Sequence, residues 1–258
     1  MSHKTRIGLI GYGKTGKAVA NVLSTDPRFE LCWIARRTAA SSPQTHPDTA
    51  IPIFGVDRQS FEILFARHPV DAVVDFSSQE AVHAYGEIVR KRKIILVSAI
   101  SAYSKSDLAY VRNLGKHTRV MCSPNITLGI NFLMTAANLL RKIAPFADVE
   151  ILEQHFKEKP EISGTAIKIA EKLGLEDNQI TSLRLGGIIG EHEVIFGFPH
   201  QTVRLVHSSI RREAFGTGAA FALSQLANCA IGFYTYEDLL LQTVNNDLPK
   251  PGFAGVGN

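Results

Sequence analysis

Cysteine is scarce in this chain of 258 residues: Cys32, Cys122 and Cys229 lie far apart and form no Cys-x-x-Cys pair. That spacing offers neither a disulfide framework nor a zinc site, so no metal is expected and a reducing compartment is the natural one. Long apolar runs are missing as well. The stretch 219–232 is interrupted by Ser224, Gln225 and Asn228, which argues against a membrane span. Residues 1–6 lead straight into a short apolar strand, without an export-signal core or a small-residue cleavage site. The expectation is a soluble, cytoplasmic protein with no membrane partner. There is no internal repeat, no low-complexity segment and no basic array interleaved with aromatics. The net charge of +4 is therefore read as pockets for a pyrophosphate cofactor and a dianionic substrate rather than as a nucleic-acid surface. The one dense basic run, Arg90-Lys91-Arg92-Lys93, reads as a solvated helix end, where cations suit the C-terminal dipole.

What is present is enough apolar material, 45%, to build a substantial core. Residues 7–10 read as a buried strand, and Ala18, Val19, Val22 and Leu23 recur at helical spacing just beyond it. Further strands at 30–35, 70–76 and 93–100 alternate with helical stretches at 61–67 and 79–90, and a helix at 104–114 precedes a strand at 120–122. The alternation predicts an N-terminal α/β domain of Rossmann type, a doubly wound parallel sheet with helices on both faces. After Ser123-Pro124-Asn125 comes an apolar-striped helix, 128–143, then a strand at 149–155, a helix at 165–173 and β-rich segments over 180–207. These predict a second, α+β domain on a mixed or antiparallel open sheet. A helix is expected over 219–233, a short closing helix over 236–241 and a flexible tail over 245–258. The expected division is 1–125 plus about 232–258 for the nucleotide and 126–231 for substrate binding and oligomerisation.

Between the first strand and the first helix stands Gly11-Tyr12-Gly13-Lys14-Thr15-Gly16. Gly11 permits a tight turn, Gly13 lets the backbone approach a pyrophosphate, and Gly16 allows close packing of helix on strand, while the helix N-terminus offers free amides to phosphate. Selection of NAD normally uses an acidic side chain at the end of the second strand. Here Arg36-Arg37 stand there, a pair suited to a 2′-phosphate, so NADPH is expected to be preferred and NADH to be possible.

The segment Glu153-Gln154-His155-Phe156-Lys157-Glu158-Lys159, followed by Ser163-Gly164-Thr165, groups a proton donor, a cation and a helix-start anion site. Hydride addition to a carbon conjugated with an imine pushes electrons onto an atom that must then be protonated. Histidine titrates near neutrality and suits that task, and a lysine can hold a carboxylate. His192 and His207 receive no chemical step at this level and read as structural residues at strand ends or subunit contacts.

Together with Asp75-Phe76-Ser77, the run from Ser123 to Asn131, Gly190-Glu191-His192 and the closing 232–238, these motifs resemble the 4-hydroxy-tetrahydrodipicolinate reductase (dihydrodipicolinate reductase) family over nearly the whole chain. The resemblance implies a two-domain homotetramer that reduces a small-molecule cyclic imine carrying two carboxylates, with NAD(P)H, in lysine and diaminopimelate biosynthesis. It implies His155 as proton donor, Lys159 as its partner cation, and Lys159, Ser163, Gly164 and Thr165 as substrate contacts. Asp75, Phe76, Ser77, Ser98, Ser123 and Asn125 join the glycine turn and Arg36-Arg37 beside the cofactor. Three features depart from the family pattern. Phe156 stands where a second histidine is common, Ser98-Ala99-Ile100-Ser101 aligns with a Gly-Thr-Thr-Gly turn, and the turn before Ser163 is one residue shorter. Two alternatives stay open: a relative that reduces another cyclic imine or keto acid, and a nucleotide-sensing protein without chemistry.

Overall fold

The computed structural model describes residues 4–38, 42, 44–56 and 60–247. The chain runs β1 (Thr5–Ile10), α1 (Lys14–Thr25), β2 (Phe29–Arg36), β3 (Gln44–Thr45), β4 (Pro52–Gly55), α2 (Phe61–Arg67), β5 (Ala72–Asp75), α3 (Ala81–Arg92), β6 (Ile95–Ser98), α4 (Lys105–Leu114) and β7 (Arg119–Cys122). It continues α5 (Leu128–Ile143), β8 (Asp148–His155), α6 (Gly164–Leu173), β9 (Ile180–Arg184), β10 (Glu191–Phe198), β11 (Gln201–Ser208), α7 (Glu213–Ala227), β12 (Gly232–Tyr234) and α8 (Tyr236–Asp247).

Strands whose residues are buried on both faces need cover on both, and the first sheet has it. Its order is β12-β7-β6-β5-β1-β2-β4-β3, parallel throughout except for the β3–β4 pair. On one face α1, α7 and α8 bury Val19, Leu23, Ala219, Leu223 and Leu239 against Ile7, Leu9 and Val74. On the other, α2, α3 and α4 bury Phe65, Tyr85, Val89 and Leu114 against Trp33, Val73 and Leu96. Strand order reverses between β1 and β5, and an open α/β sheet presents its ligand crevice at the carboxyl ends of such strands. Gly11 follows β1 there at φ +97, and a Cβ on it would lie 2.6 Å from the Phe76 carbonyl after β5. Only glycine lets these two loops touch.

The second sheet is open, ordered β11-β10-β8-β9, with β8–β9 parallel and its other pairs antiparallel. Its strands alternate, and the inward positions Val149, Ile151, Val194 and Phe196 pack with Ile130, Leu133, Ala166 and Ile169 of α5 and α6. Basic residues Arg90 to Arg92 occupy the last turn of α3, which Lys93 closes at φ +55.

Four details differ from the sequence reading. The helix expected over 219–233 is α7, which starts at Glu213 and stops at Ala227, and Phe233 lies in β12, paired with Val120. Gly216 and Gly218 resemble helix breakers but serve close packing: a Cβ on Gly218 would meet the Ile126 carbonyl oxygen at 1.7 Å, and one on Gly216 the Val22 side chain at 2.6 Å. The edge strand β3 and its neighbour β4, unforeseen, are too short and too mixed in composition to show alternation. Helix α6 begins at Gly164, because Ser163 caps it by accepting the Thr165 N–H. Helix α8 continues to Asp247, so 245–247 are helical, and the rest of the expected tail lies outside the described residues.

Gly218→Ala is expected to destabilise the protein by about 1–3 kcal/mol through overpacking, measured by urea or thermal unfolding. Gly197→Ala, whose Cβ would meet Asp148 only at 3.8 Å, serves as the control and is expected to cost less.

Candidate active site

Period-2 alternation puts Glu153 and His155 on the helix-covered face of β8, continuing the apolar row of Val149 and Ile151. Register then assembles the rest. Ser182 on β9 and His192 on β10 both pair with Glu153, and His207 on β11 pairs with His192. One row across four strands therefore reads Ser182, Glu153, His192, His207, with Arg184 paired to His155 in the next row.

Glu153 is fully buried and accepts bonds from His155 Nδ1, Ser163 N, Ser182 Oγ and both terminal nitrogens of Arg184, the last four at 2.7–3.2 Å. Burial opposes its charge, but Arg184, Ser182, His155 and the Ser163 amide outweigh burial and bring the carboxyl down to about 2. His155 is 8% exposed, and its ring meets that of His192 edge-on, with centroids 5.3 Å apart. A Cβ on Gly190 would stand 3.0 Å from His155 Nε2, so the glycine keeps the approach to that nitrogen open. Ser163 Oγ accepts the Thr165 N–H and has its own proton free for His192 Nε2, 2.8 Å away. Burial, reinforced by the neighbouring His155, lowers His192 to about 4 and keeps it neutral at pH 7. Burial also lowers His207. The Nδ1 atoms of both rings are buried without a partner among the described residues.

A cavity of about 1040 Å³ opens onto His155, His192, His207, Thr165, Asn125 and Phe156, with Lys14, Lys17, Arg211 and Arg212 also on its wall. Thr165 Oγ1 accepts a long bond from Asn125 Nδ2 at 3.5 Å, which leaves its hydroxyl proton available to a ligand. The Gly164 and Ala166 amides have no partner among the described residues, whereas the Ser163 and Thr165 amides are committed to Glu153 and to the cap. Lys159, Ser163 and Gly164 are off this wall. Lys159 lies half-buried on the turn after His155, and its charge helps to keep His192 neutral.

A second cleft of about 640 Å³ is lined by Arg37, Phe76, Ser77, Pro124 and residues 99–102, and Thr15 and Phe215 border both spaces. The two cavities therefore adjoin at the glycine turn. A Cβ on Gly16 would meet the Gly11 carbonyl oxygen at 2.1 Å, while Gly13 precedes α1 with open space where a Cβ would go. Tyr12 is half-buried, with Lys17 Nζ 5.6 Å from its ring centroid. Of the expected cofactor residues, Gly11, Tyr12, Gly13, Gly16, Arg36, Asp75, Ser98 and Ser123 are off both walls. Arg36 donates to Gln44 at 3.1 Å, Asp75 accepts from Ser77 and Tyr85, Ser98 bonds the Tyr103 hydroxyl at 3.0 Å, and Ser123 donates to the Asn125 carbonyl at 2.5 Å. Burial pushes the Asp75 carboxyl up, against the Ser77 and Tyr85 bonds.

Two family profiles tile the chain: dihydrodipicolinate reductase, N-terminus, over residues 5–126, and dihydrodipicolinate reductase, C-terminus, over 126–240. The chain belongs to the dihydrodipicolinate reductase family. Among similar curated relatives, the 4-hydroxy-tetrahydrodipicolinate reductase of Caldanaerobacter subterraneus subsp. tengcongensis is 31% identical over 88% of this chain and 94% of its own. That of Thermosipho africanus is 32% identical over 91% and 97%. A solved dihydrodipicolinate reductase from Paenisporosarcina sp. TG-14, bound to dipicolinate, shares the fold with a TM-score of 0.76 at 21% identity, covering 90% of this chain and 98% of that one.

Sequence reasoning gave no role to Glu153, Ser182, Arg184, Lys17, Arg211 or Arg212, and it set His192 and His207 aside as structural. Both histidines line the larger cavity. Alternation along β8 was available to pair Glu153 with His155, but nothing in the linear order signals which β9 or β10 residues face them.

The folded value of about 4 for His192 lies below the 6.5 of an exposed histidine. Between those values the unfolded chain binds more protons than the folded one, so stability rises with pH across the window and is lost as pH falls through it. The melting temperature is expected to drop from pH 6.5 to pH 4, and His192→Gln to flatten that drop. Equal slopes in the two proteins would assign the effect elsewhere.

Proposed function

We propose that this chain reduces 4-hydroxy-tetrahydrodipicolinate to tetrahydrodipicolinate with NADPH in preference to NADH, a step in lysine and diaminopimelate biosynthesis. Family membership over nearly the whole chain supports the reaction class. The observation that carries the site assignment is His155, anchored at Nδ1 by a buried carboxylate and open at Nε2, on the wall of a cavity that adjoins the glycine-turn cleft.

The nucleotide fits the residues present. Gly11 and Gly16 let the turn close onto the loop after β5 and onto α1, Gly13 leaves open space beside it, and α1 starts with no acidic residue in its first turn and no side-chain cap, so its amides suit a pyrophosphate. Arg37, exposed on the second cleft, suits a 2′-phosphate. NAD(P)H, when bound, supplies the hydride. His155 gives its Nε2 proton to the atom that receives the displaced electron pair, and keeps Nδ1–H on Glu153. Thr165 Oγ1 and the exposed Gly164 amide hold one carboxylate, on a turn that Ser163 caps. Lys159 supplies the positive field for the other. The reading includes a cytoplasmic homotetramer in which residues 1–125 and about 232–258 hold the nucleotide and 126–231 the substrate. The pairing of β12 with β7 in the first sheet supports that division.

A second reading, reduction of another cyclic imine or keto acid, draws on Phe156. This ring is 42% exposed on the cavity wall near Ile189 and Ile210, an apolar rim that offers a carboxylate nothing.

The test is NADPH oxidation with freshly generated 4-hydroxy-tetrahydrodipicolinate beside a panel of monocarboxylate imines. Turnover of the dicarboxylate is expected to dominate; background rates with it and better turnover of a monocarboxylate would transfer the assignment to the second reading. His155→Ala is expected to lower kcat by about 10²–10⁴-fold, and a loss under about tenfold would remove it as general acid. Arg37→Ala is expected to raise the KM for NADPH roughly 10–100-fold while sparing NADH, as loss of a charged hydrogen bond predicts. Arg36→Ala, whose guanidinium braces Gln44, is expected to leave the NADPH-to-NADH ratio near its starting value.

A further inference from the structure

Arg184 is on neither cavity wall, yet its guanidinium is fully engaged. Nη1 and Nη2 fork onto the two oxygens of Glu153 at 3.0 and 2.8 Å. Nη2 also donates to the Glu161 carbonyl at 2.8 Å, Nε to the Lys159 carbonyl at 3.0 Å, and Nη1 to the Leu183 carbonyl at 2.9 Å. One planar group thus grips the carboxylate that anchors His155 and, on its other edge, the backbone of the turn that carries Lys159.

Building on the reductase reading above, we propose that Arg184 is a positioning residue that fixes the proton donor and the substrate cation relative to each other. On the first arm, Arg184 keeps Glu153 ionised, so Glu153 holds Nδ1–H of His155 and does not compete for a proton. When His155 acts, the Nε2–H bond breaks, the proton joins the atom bearing the new electron pair, and a neutral ring with Nδ1–H remains. On the second arm, the Lys159 and Glu161 carbonyls are bound to the same guanidinium, so the turn keeps one conformation as substrate enters. Both arms need the five-donor fork: an ammonium at this position carries the charge but cannot reach a carboxylate and two carbonyls in one plane. Ser182, which donates to Glu153 at 2.7 Å and has no side-chain hydrogen bond to the turn among the described residues, separates the arms.

The experiment compares full-length wild type, Arg184→Lys and Ser182→Ala. Two readouts are used: ¹⁵N resonances of the His155 ring without cofactor or substrate, and kcat and KM with the dicarboxylate. NADPH affinity and melting temperature report that the variants are folded. Wild type, taken to a pH at which the ring has given up its Nε2 proton, is expected to show a single neutral tautomer with Nδ1–H. Arg184→Lys is expected to show mixed tautomers, a kcat about tenfold lower and a KM about tenfold higher, the order of loss that sub-ångström misplacement brings. Ser182→Ala is expected to disturb the tautomer and leave KM unchanged. A folded Arg184→Lys with the wild-type ring spectrum and KM within about twofold overturns the proposal. If Arg184→Lys does not fold, an unaltered ring spectrum in Ser182→Ala overturns the first arm. The ring spectrum needs no turnover, so a wild type that ignores the dicarboxylate defeats the reductase reading alone, and the tautomer result still judges Arg184.

Discussion

A carboxylate with no solvent contact, Glu153, anchors the site. Stripping it of water carries a cost that one partner cannot offset, and five bonds from Arg184, Ser182, Ser163 and His155 meet it. The donors come from β8 itself, from β9 and from the cap of α6, so satisfying one charge ties three segments together. His155 and the start of α6 bond that carboxylate directly, and the Lys159 turn is tied to it through Arg184. A partial version of such a network is costly, because any missing donor leaves a buried charge short of partners.

The first sheet meets a different constraint. Parallel strands covered on both faces leave only their carboxyl ends open, and strand order reverses between β1 and β5. Gly11 and Gly16 let two loops and a helix approach there closer than any side chain would allow. Glycines at 216 and 218 do the same for α7, which lies against α1 and the link at Ile126. Phe215, at the start of that helix, borders both cavities, so the packing that builds the core also sets the junction between them.

Charge is distributed to match. Lys14, Lys17, Arg211 and Arg212 face the larger cavity, Arg37 faces the smaller one, and the neutral His192 sits among them because burial keeps it uncharged. The apolar Phe156 interrupts this polar lining on the wall that carries His155.

The linear order by itself determined the strand–turn–helix order, the alternation that makes the first sheet parallel, and the grouping of His155, Lys159 and Ser163-Gly164-Thr165. Each is a local property: periodicity, glycine chemistry and capping act over a few residues. Helix α5 matched its apolar stripe end to end for the same reason. The span of α7 was not legible, since glycines that weaken a helix locally were selected by contacts with distant Val22 and Ile126. Only tertiary structure decided that Ser182, Glu153, His192 and His207 form one row and that Arg184 closes it. Strand register depends on which segments pair, and a shift of one residue would turn every one of these side chains to the opposite face.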